Sequence, residues 1–278
     1  MDFDITQIVE MKTASVQGDY VKNGLIYCYK CNTPKQCKIV FLGDEAIVSC
    51  MCRCESEASE AEQKEFEEMQ RNFNIQGLRK RGITNSKYLK MTFRNNRCNL
   101  DFAKKYVSEW DFMRDNGQGL VLCGDTGVGK TFAACCIANA LIDREISACV
   151  INLPTALARL FNREYQNELY QKISNSGLCV FDDLGANRDT EYSLEQLYVL
   201  IDMRYETGRP MIITTNLNTD QLRLARQGMW IDGSKNYQYK RIFDRICGAC
   251  IPYTILGESL RVKARQNVSD EATRRLGI

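Results

Sequence analysis

One stretch, Gly119 to Thr131, decides most of what this chain can fold into. A short apolar run, Leu120-Val121-Leu122-Cys123, leads into Gly124-Asp125-Thr126-Gly127-Val128-Gly129-Lys130-Thr131. Every position fits the phosphate-loop pattern GxxxxGK[ST], between a predicted strand and a helix predicted from Phe132 to Leu141. The glycines let the backbone wrap a polyphosphate so that successive amide N–H groups face its oxygens. The following helix adds the positive end of its dipole. Lys130 is placed to reach the β- and γ-phosphates, and the Thr131 hydroxyl to hold a magnesium ion. These residues, with Phe132 opening the helix, predict a bound nucleoside triphosphate.

Composition narrows the alternatives. The chain has 278 residues, enough for one large domain or two smaller ones. Its 37 basic and 35 acidic residues nearly cancel, so a nucleic-acid contact would need a local basic face. No apolar run approaches the roughly 18 residues of a membrane span, and the first residues lack a secretory layout. Fourteen cysteines suit a reducing compartment, and we read the protein as cytoplasmic. Histidine is absent, which removes imidazole acid–base chemistry and imidazole metal ligands.

The cysteines concentrate at the N-terminal end: Cys28, Cys31, Cys37, Cys50, Cys52 and Cys54. Cys28 and Cys31 have knuckle spacing. Cys50, Cys52 and Cys54 share a side if the chain there is extended. A strand–turn–strand, Lys38–Leu42 and Ala46–Val48 around Gly43-Asp44, lies between the clusters. Four thiolates on zinc would hold so small a hairpin. Cys28, Cys31, Cys52 and Cys54 are the expected set, with Cys50 or Cys37 as substitutes; free thiols or an iron–sulfur cluster are the alternatives. Before this module, Phe3, Ile5, Ile8, Val9 and Met11 suggest an amphipathic helix somewhere in residues 1–27. After it, residues 55–72 read as a solvated helical linker, with a domain boundary near residue 75. The domains are thus 1–75, a cysteine-rich zinc-binding module with its linker, and 76–278. Arg79, Lys80 and Arg81 are candidate DNA contacts, although a solvated linker explains them equally.

Ahead of the loop, a helix from about Leu100 to Arg114 carries Phe102, Tyr106, Val107, Trp110 and Met113 as core residues. Beyond the loop, strands and helices alternate, which implies a parallel sheet covered on both faces. Strands are expected at Ala148–Ile151, Leu178–Phe181, Met211–Thr215 and Ile251–Leu256, and Leu153–Ile173 is mostly helical. A further helix should bury Leu194, Leu197, Ile201 and Tyr205. Leu178-Cys-Val-Phe ends in Asp182-Asp183. Placed next to the phosphate-loop strand, it would deliver Asp182 to magnesium and Asp183 to the attacking water. Asn216, closing Met211–Thr215, can hold the water or the γ-phosphate, or form a turn before a helix at Thr219. Arg245 and Arg261 suit neutralisation of transition-state charge, although such arginines are more often surface residues.

The order GDTGVGKT, LCVFDDLGA, IITTNLN, RIFDR and GESLR resembles the AAA+ ATPases of the DnaC/DnaI helicase-loader and IstB group, over about residues 75–265. The resemblance implies a phosphate-loop AAA+ domain, a parallel five-stranded sheet between helices, behind the cysteine-rich module. It makes Lys130 and Thr131 the Walker A residues and Asp182 with Asp183 the Walker B pair. Asn216 becomes the first sensor, Arg245 the arginine finger and Arg261 the second sensor. The superfamily's usual Asp-Glu is Asp-Asp here, and the shorter Asp183 suggests slow hydrolysis. No second helical lid domain is expected after residue 265. The implied function is an ATPase, working as a homo-oligomer, that loads a ring-shaped DnaB-type replicative helicase onto single-stranded DNA. In such proteins the N-terminal domain grips the helicase. An IstB-like transposition helper that binds DNA and a transposase shares the ATPase core and is the alternative; a third is an adaptor using ATP only as a clamp.

Overall fold

Each central strand of this protein alternates apolar side chains between two cores, and that alternation fixes where the site can lie. The computed structural model describes residues 18–41, 43–95, 100–185, 190–229, 237–259 and 272–276. The chain divides into two units, Met1–Asn72 and Phe73–Ile278.

In the first unit, β1 (Tyr20–Lys22) pairs antiparallel with β2 (Leu25–Tyr27), and β3 (Gln36–Phe41) with β4 (Asp44–Ser49). The β3–β4 hairpin matches the strand–turn–strand expectation. The β1–β2 hairpin follows the residues on which an amphipathic helix was expected. Asn23 and Gly24, both at positive φ (53° and 75°), close it as a two-residue turn, for which Asn-Gly is the favoured pair. Phe3, Ile5, Ile8, Val9 and Met11 lie outside the described residues. Lys35 bridges this unit internally, with its ammonium 2.9 Å from both Asp19 and Glu55. Glu55 also accepts from the Cys52 amide at 3.1 Å.

Helix α1 (Arg53–Gly82) begins in the cysteine module and runs unbroken through the unit division. The linker read from residues 55–72 is therefore the first part of a 30-residue helix. Its last turn carries Arg79, Lys80 and Arg81, which complement the negative end of the helix dipole. Arg79 is ion-paired with Asp143. Gly82 ends the helix against the sheet. A Cβ there would stand 1.9 Å from the Ala148 carbonyl oxygen, so only glycine allows the approach.

The second unit continues with α2 (Ser86–Leu89), a short 3-10 turn at Phe93–Asn95, α3 (Asp101–Ser108) and α4 (Trp110–Asp115). Glu109 separates the last two, where a single helix was expected, but Tyr106 and Trp110 are buried as predicted. The sheet is built from β5 (Gly119–Cys123), β6 (Ala148–Asn152), β7 (Leu178–Leu184), β8 (Met211–Thr215) and β9 (Cys250–Thr254). All its pairings are parallel, in the order β6-β7-β8-β5-β9. Intervening helices are α5 (Lys130–Asp143), α6 (Leu153–Arg159), α7 (Arg163–Asn175), α8 (Glu191–Glu206), α9 (Thr219–Arg226) and α10 (Tyr237–Ala249). Leu120, Leu122, Val150, Val180 and Ile212 join the core beneath α3 and α5. Val121, Ile151, Phe181 and Ile213 join the opposite core with α7, α8 and α10. This period-two split is what a sheet covered on both faces requires.

Two expectations need correction. The Asp-Asp strand β7 is not beside the phosphate-loop strand β5; β8 lies between them. Crossover connections insert a strand there, and the ends of all three still open on the same edge. The buried face of α8 is Leu194, Leu197, Leu200, Ile201 and Arg204, while Tyr205 is exposed. Arg204 is inside with carbonyls around both of its terminal nitrogens. Its Nη1 donates to Ile173 and Ser176 at 3.0 and 2.8 Å, and its Nη2 to Gly177 and Pro210 at 2.9 and 2.6 Å. Among the described residues, no helix is long and apolar enough to cross a membrane.

Candidate functional site

Beyond the β5 end the chain turns through Gly124, Gly127 and Gly129, all at positive φ, before α5 begins at Lys130. Gly127 is constrained twice. Its φ is 90°, and a Cβ would fall 2.1 Å from the Ser259 hydroxyl, so the segment after β9 leans directly on the loop. Val128 is buried beneath the turn. Lys130 is also buried, its ammonium donating to the carbonyls of Gly124 and Asp125 at 2.8 Å each and to Asn216 Oδ1 at 2.9 Å. The lysine thus ties the loop to the end of β8.

Asp182 is the centre of a second web. Its Oδ1 accepts from the Thr131 and Thr214 hydroxyls at 2.7 Å each, and its Oδ2 from the Tyr88 hydroxyl at 3.0 Å. Burial, and then the negative charge of Asp182, push the Tyr88 phenol well above its usual range, so it stays a donor. A register shift between β7 and β8 falls between Phe181 and Leu184. Within it Asp183 takes a φ of 70°, and its amide donates to the Thr214 hydroxyl at 2.9 Å. Bulges of this kind re-aim side chains, and aspartate tolerates the left-handed region better than most residues.

A cavity of about 520 Å³ opens over these groups. Thr126, Gly127, Gly129, Lys130, Thr131, Phe132, Asp182, Asp183 and Asn216 line it, joined by Lys87, Tyr88, Met91, Asn152 and Thr214. The structure therefore gathers the loop, both aspartates and Asn216 around one space large enough for a nucleotide. Asn216 is not the cap of α9; Asn218 is, leaving Asn216 to face Lys130. Arg245 is elsewhere. It projects from α10 toward α8, paired with Asp202 and stacked over the Tyr198 ring at 4.6 Å. Arg261 lies outside the described residues. Tyr88, Thr214 and Asp202 had no motif to mark them as partners of site residues.

In the first unit, the Sγ atoms of Cys28, Cys31, Cys52 and Cys54 all lie within 4.8 Å of one another. Cys54 Sγ is 3.6 Å from Cys28 Sγ and 3.3 Å from Cys52 Sγ. Around tetrahedral zinc, with bonds of about 2.3 Å, sulfurs stand roughly 3.8 Å apart, so the set is compatible with a zinc-binding module. Cys54 also sits in the first turn of α1. Cys37 and Cys50 are outside this group.

Comparisons agree with the geometry. The replicative helicase loader DnaI of Bacillus subtilis is 26% identical over 165 residues, 58% of this chain and 51% of the relative. The loader DnaC of Escherichia coli K12 is 28% identical over 166 residues, 55% of this chain and 64% of the relative. An ATP-binding protein of insertion sequence IS232 from Bacillus thuringiensis is 28% identical over 149 residues, 52% of this chain and 56% of that protein. The matches thus span between half and two thirds of these relatives' own lengths. The crystal structure of DnaI superposes with a TM-score of 0.52 at 24% identity, covering 63% of this chain and 93% of that one, a likeness of fold. The family model of IstB-like ATP-binding proteins matches residues 62–268, and the chain belongs to that family.

Proposed function

We propose that this protein is an ATP-dependent loader of a DnaB-type replicative helicase onto single-stranded DNA, acting in the cytoplasm as a homo-oligomer. The observation that carries the nucleotide part is the convergence of Lys130, Thr131, Asp182, Asp183 and Asn216 on one cavity. The names of the DnaI and DnaC relatives support the loader part.

The backbone amides of the loop and Lys130 would bind the β- and γ-phosphates of ATP. Thr131 and Asp182 would hold magnesium, which neutralises charge on the phosphates. Their hydroxyl and carboxylate oxygens, the hard donors that ion prefers, already touch at 2.7 Å. Asp183 would accept a proton from the attacking water, and Asn216 would orient that water or the γ-phosphate. Arg245, away from its own chain's cavity, would serve the next subunit's γ-phosphate. Arg261 would complete the set as second sensor. Cys28, Cys31, Cys52 and Cys54 would bind zinc in a structural role, since four thiolates leave no open position. The module and linker of residues 1–75 would hold the helicase, and basic residues of the ATPase domain (76–278) would meet the DNA backbone.

The test is size-exclusion chromatography of the protein with the replicative helicase of its host, ATP and magnesium, alongside residues 1–75 alone. Co-elution of both supports the loader and its helicase contact. Absence of a complex in every nucleotide state rejects the loader. A Lys130→Ala protein that binds and hydrolyses ATP normally rejects the ATPase assignment. The match to the insertion-sequence protein favours one other reading, a transposition helper binding DNA and a transposase. Transposase pull-down separates the two.

A further inference from the structure

The Asp182 carboxylate accepts hydrogen bonds on both oxygens, but the partners differ in origin. Thr131 and Thr214, on Oδ1, come from the loop helix and the neighbouring strand. Tyr88, on Oδ2, comes from the short helix α2, far ahead of the phosphate loop in sequence. That distant segment is held in place. Asn139, buried on α5, directs its amide nitrogen at the carbonyls of Tyr88 and Met91, each at 2.9 Å. Asn85 caps α2, its side chain accepting from the Lys87 amide at 2.9 Å. The tyrosine ring is thereby fixed from its backbone outward, and it forms one wall of the nucleotide cavity.

A carboxylate fixed on one oxygen alone keeps freedom to rotate about its last bond. Fixing both oxygens sets the plane in which its lone pairs are presented to a cation. We propose that Tyr88 is a positioning residue for the magnesium-binding carboxylate: its hydroxyl fixes Asp182 Oδ2 so that the metal meets a preorganised ligand. The proposal rests on the reading of the cavity as an ATP–magnesium site. It gives Tyr88 no contact with the reacting phosphates. Its effect falls chiefly on metal affinity. Loss of one hydrogen bond to a charged group corresponds to a weakening of about tenfold or more.

The test uses the full chain, wild type and Tyr88→Phe, which removes the hydroxyl and keeps the ring. A fluorescent ATP analogue is titrated first in buffer without added magnesium. At fixed analogue, magnesium is then titrated and the half-saturating concentration read from the fluorescence change. Tyr88→Phe should raise that concentration about tenfold, well beyond any change in metal-free affinity. An unchanged half-saturating concentration overturns the proposal. So does an equal loss of metal-free affinity, which would mean that the ring acts on the nucleotide or the fold. Wild-type protein that binds the analogue with no response to magnesium would instead fail the underlying reading of the site. A second variant, Asn139→Leu, releases the backbone clamp while keeping the hydroxyl. It should raise the magnesium requirement in the same direction, and no change would count against positioning through α2.

Discussion

At Asp183 a functional group and a backbone constraint occupy one residue. Its φ of 70° lies in a region that Asp and Asn accept far better than other non-glycine side chains. Asp183→Asn should therefore leave thermal stability within experimental error and keep ATP binding, while phosphate release falls by at least tenfold. Asp183→Val removes the same carboxylate but adds β-branched strain. It should also lower stability by about 1–2 kcal/mol, read from urea denaturation. A stable valine variant would mean that the bulge relaxes. Residues of this site were legible wherever the chemistry is local. Gly124 to Thr131 form one continuous motif, and Asp182-Asp183 close one apolar run. Tyr88 was not legible, because 94 residues separate it from Asp182 and only the fold brings them together. Asp202 was hidden for a similar reason, as it meets Arg245 across two helices.

Among the elements, strand identity followed directly from apolar runs, and strand order did not. Nothing in Leu178–Leu184 says that Met211–Thr215 will intervene before the loop strand, since order depends on the handedness and length of the crossovers. Helix α8 makes the same point for burial. Leucine and isoleucine spacing located its inner face, but nothing in that spacing marks Arg204 as buried. Arg204 joins the C-terminal end of α7, the start of β7 and the turn into β8 through four carbonyls. Arg204→Leu should cost about 3 kcal/mol or more, because several buried acceptors lose their donor together. Arg204→Lys should recover only part of that, since one ammonium cannot reproduce the planar fork. Chemical denaturation of the three proteins checks both statements. The β1–β2 hairpin was legible in principle, since Asn23-Gly24 is its turn signal.

At the scale of the molecule, the two units are held together internally by different means. In the second, two apolar cores flank the sheet. In the first, Cys28 and Cys52 are the only buried apolar residues among those described, and they belong to the thiol cluster. Stripping metal with a strong chelator should therefore unfold residues 18–54 while the second unit keeps its helices and its ATP binding. Hydrogen exchange resolved by segment would show it; unchanged protection of the first unit would mean that a metal does not hold it. The thiols carry a further consequence for anyone handling the protein. Cys123, Cys135, Cys136, Cys149, Cys179 and Cys250 are all buried, and burial lifts the Cys123 thiol to about 11. An alkylating reagent can reach these six only when the second unit opens, and a metal on the tetrad would shield its thiols until it is released. Counting alkyl groups residue by residue, by mass, would thus time the opening of each unit separately within a single sample.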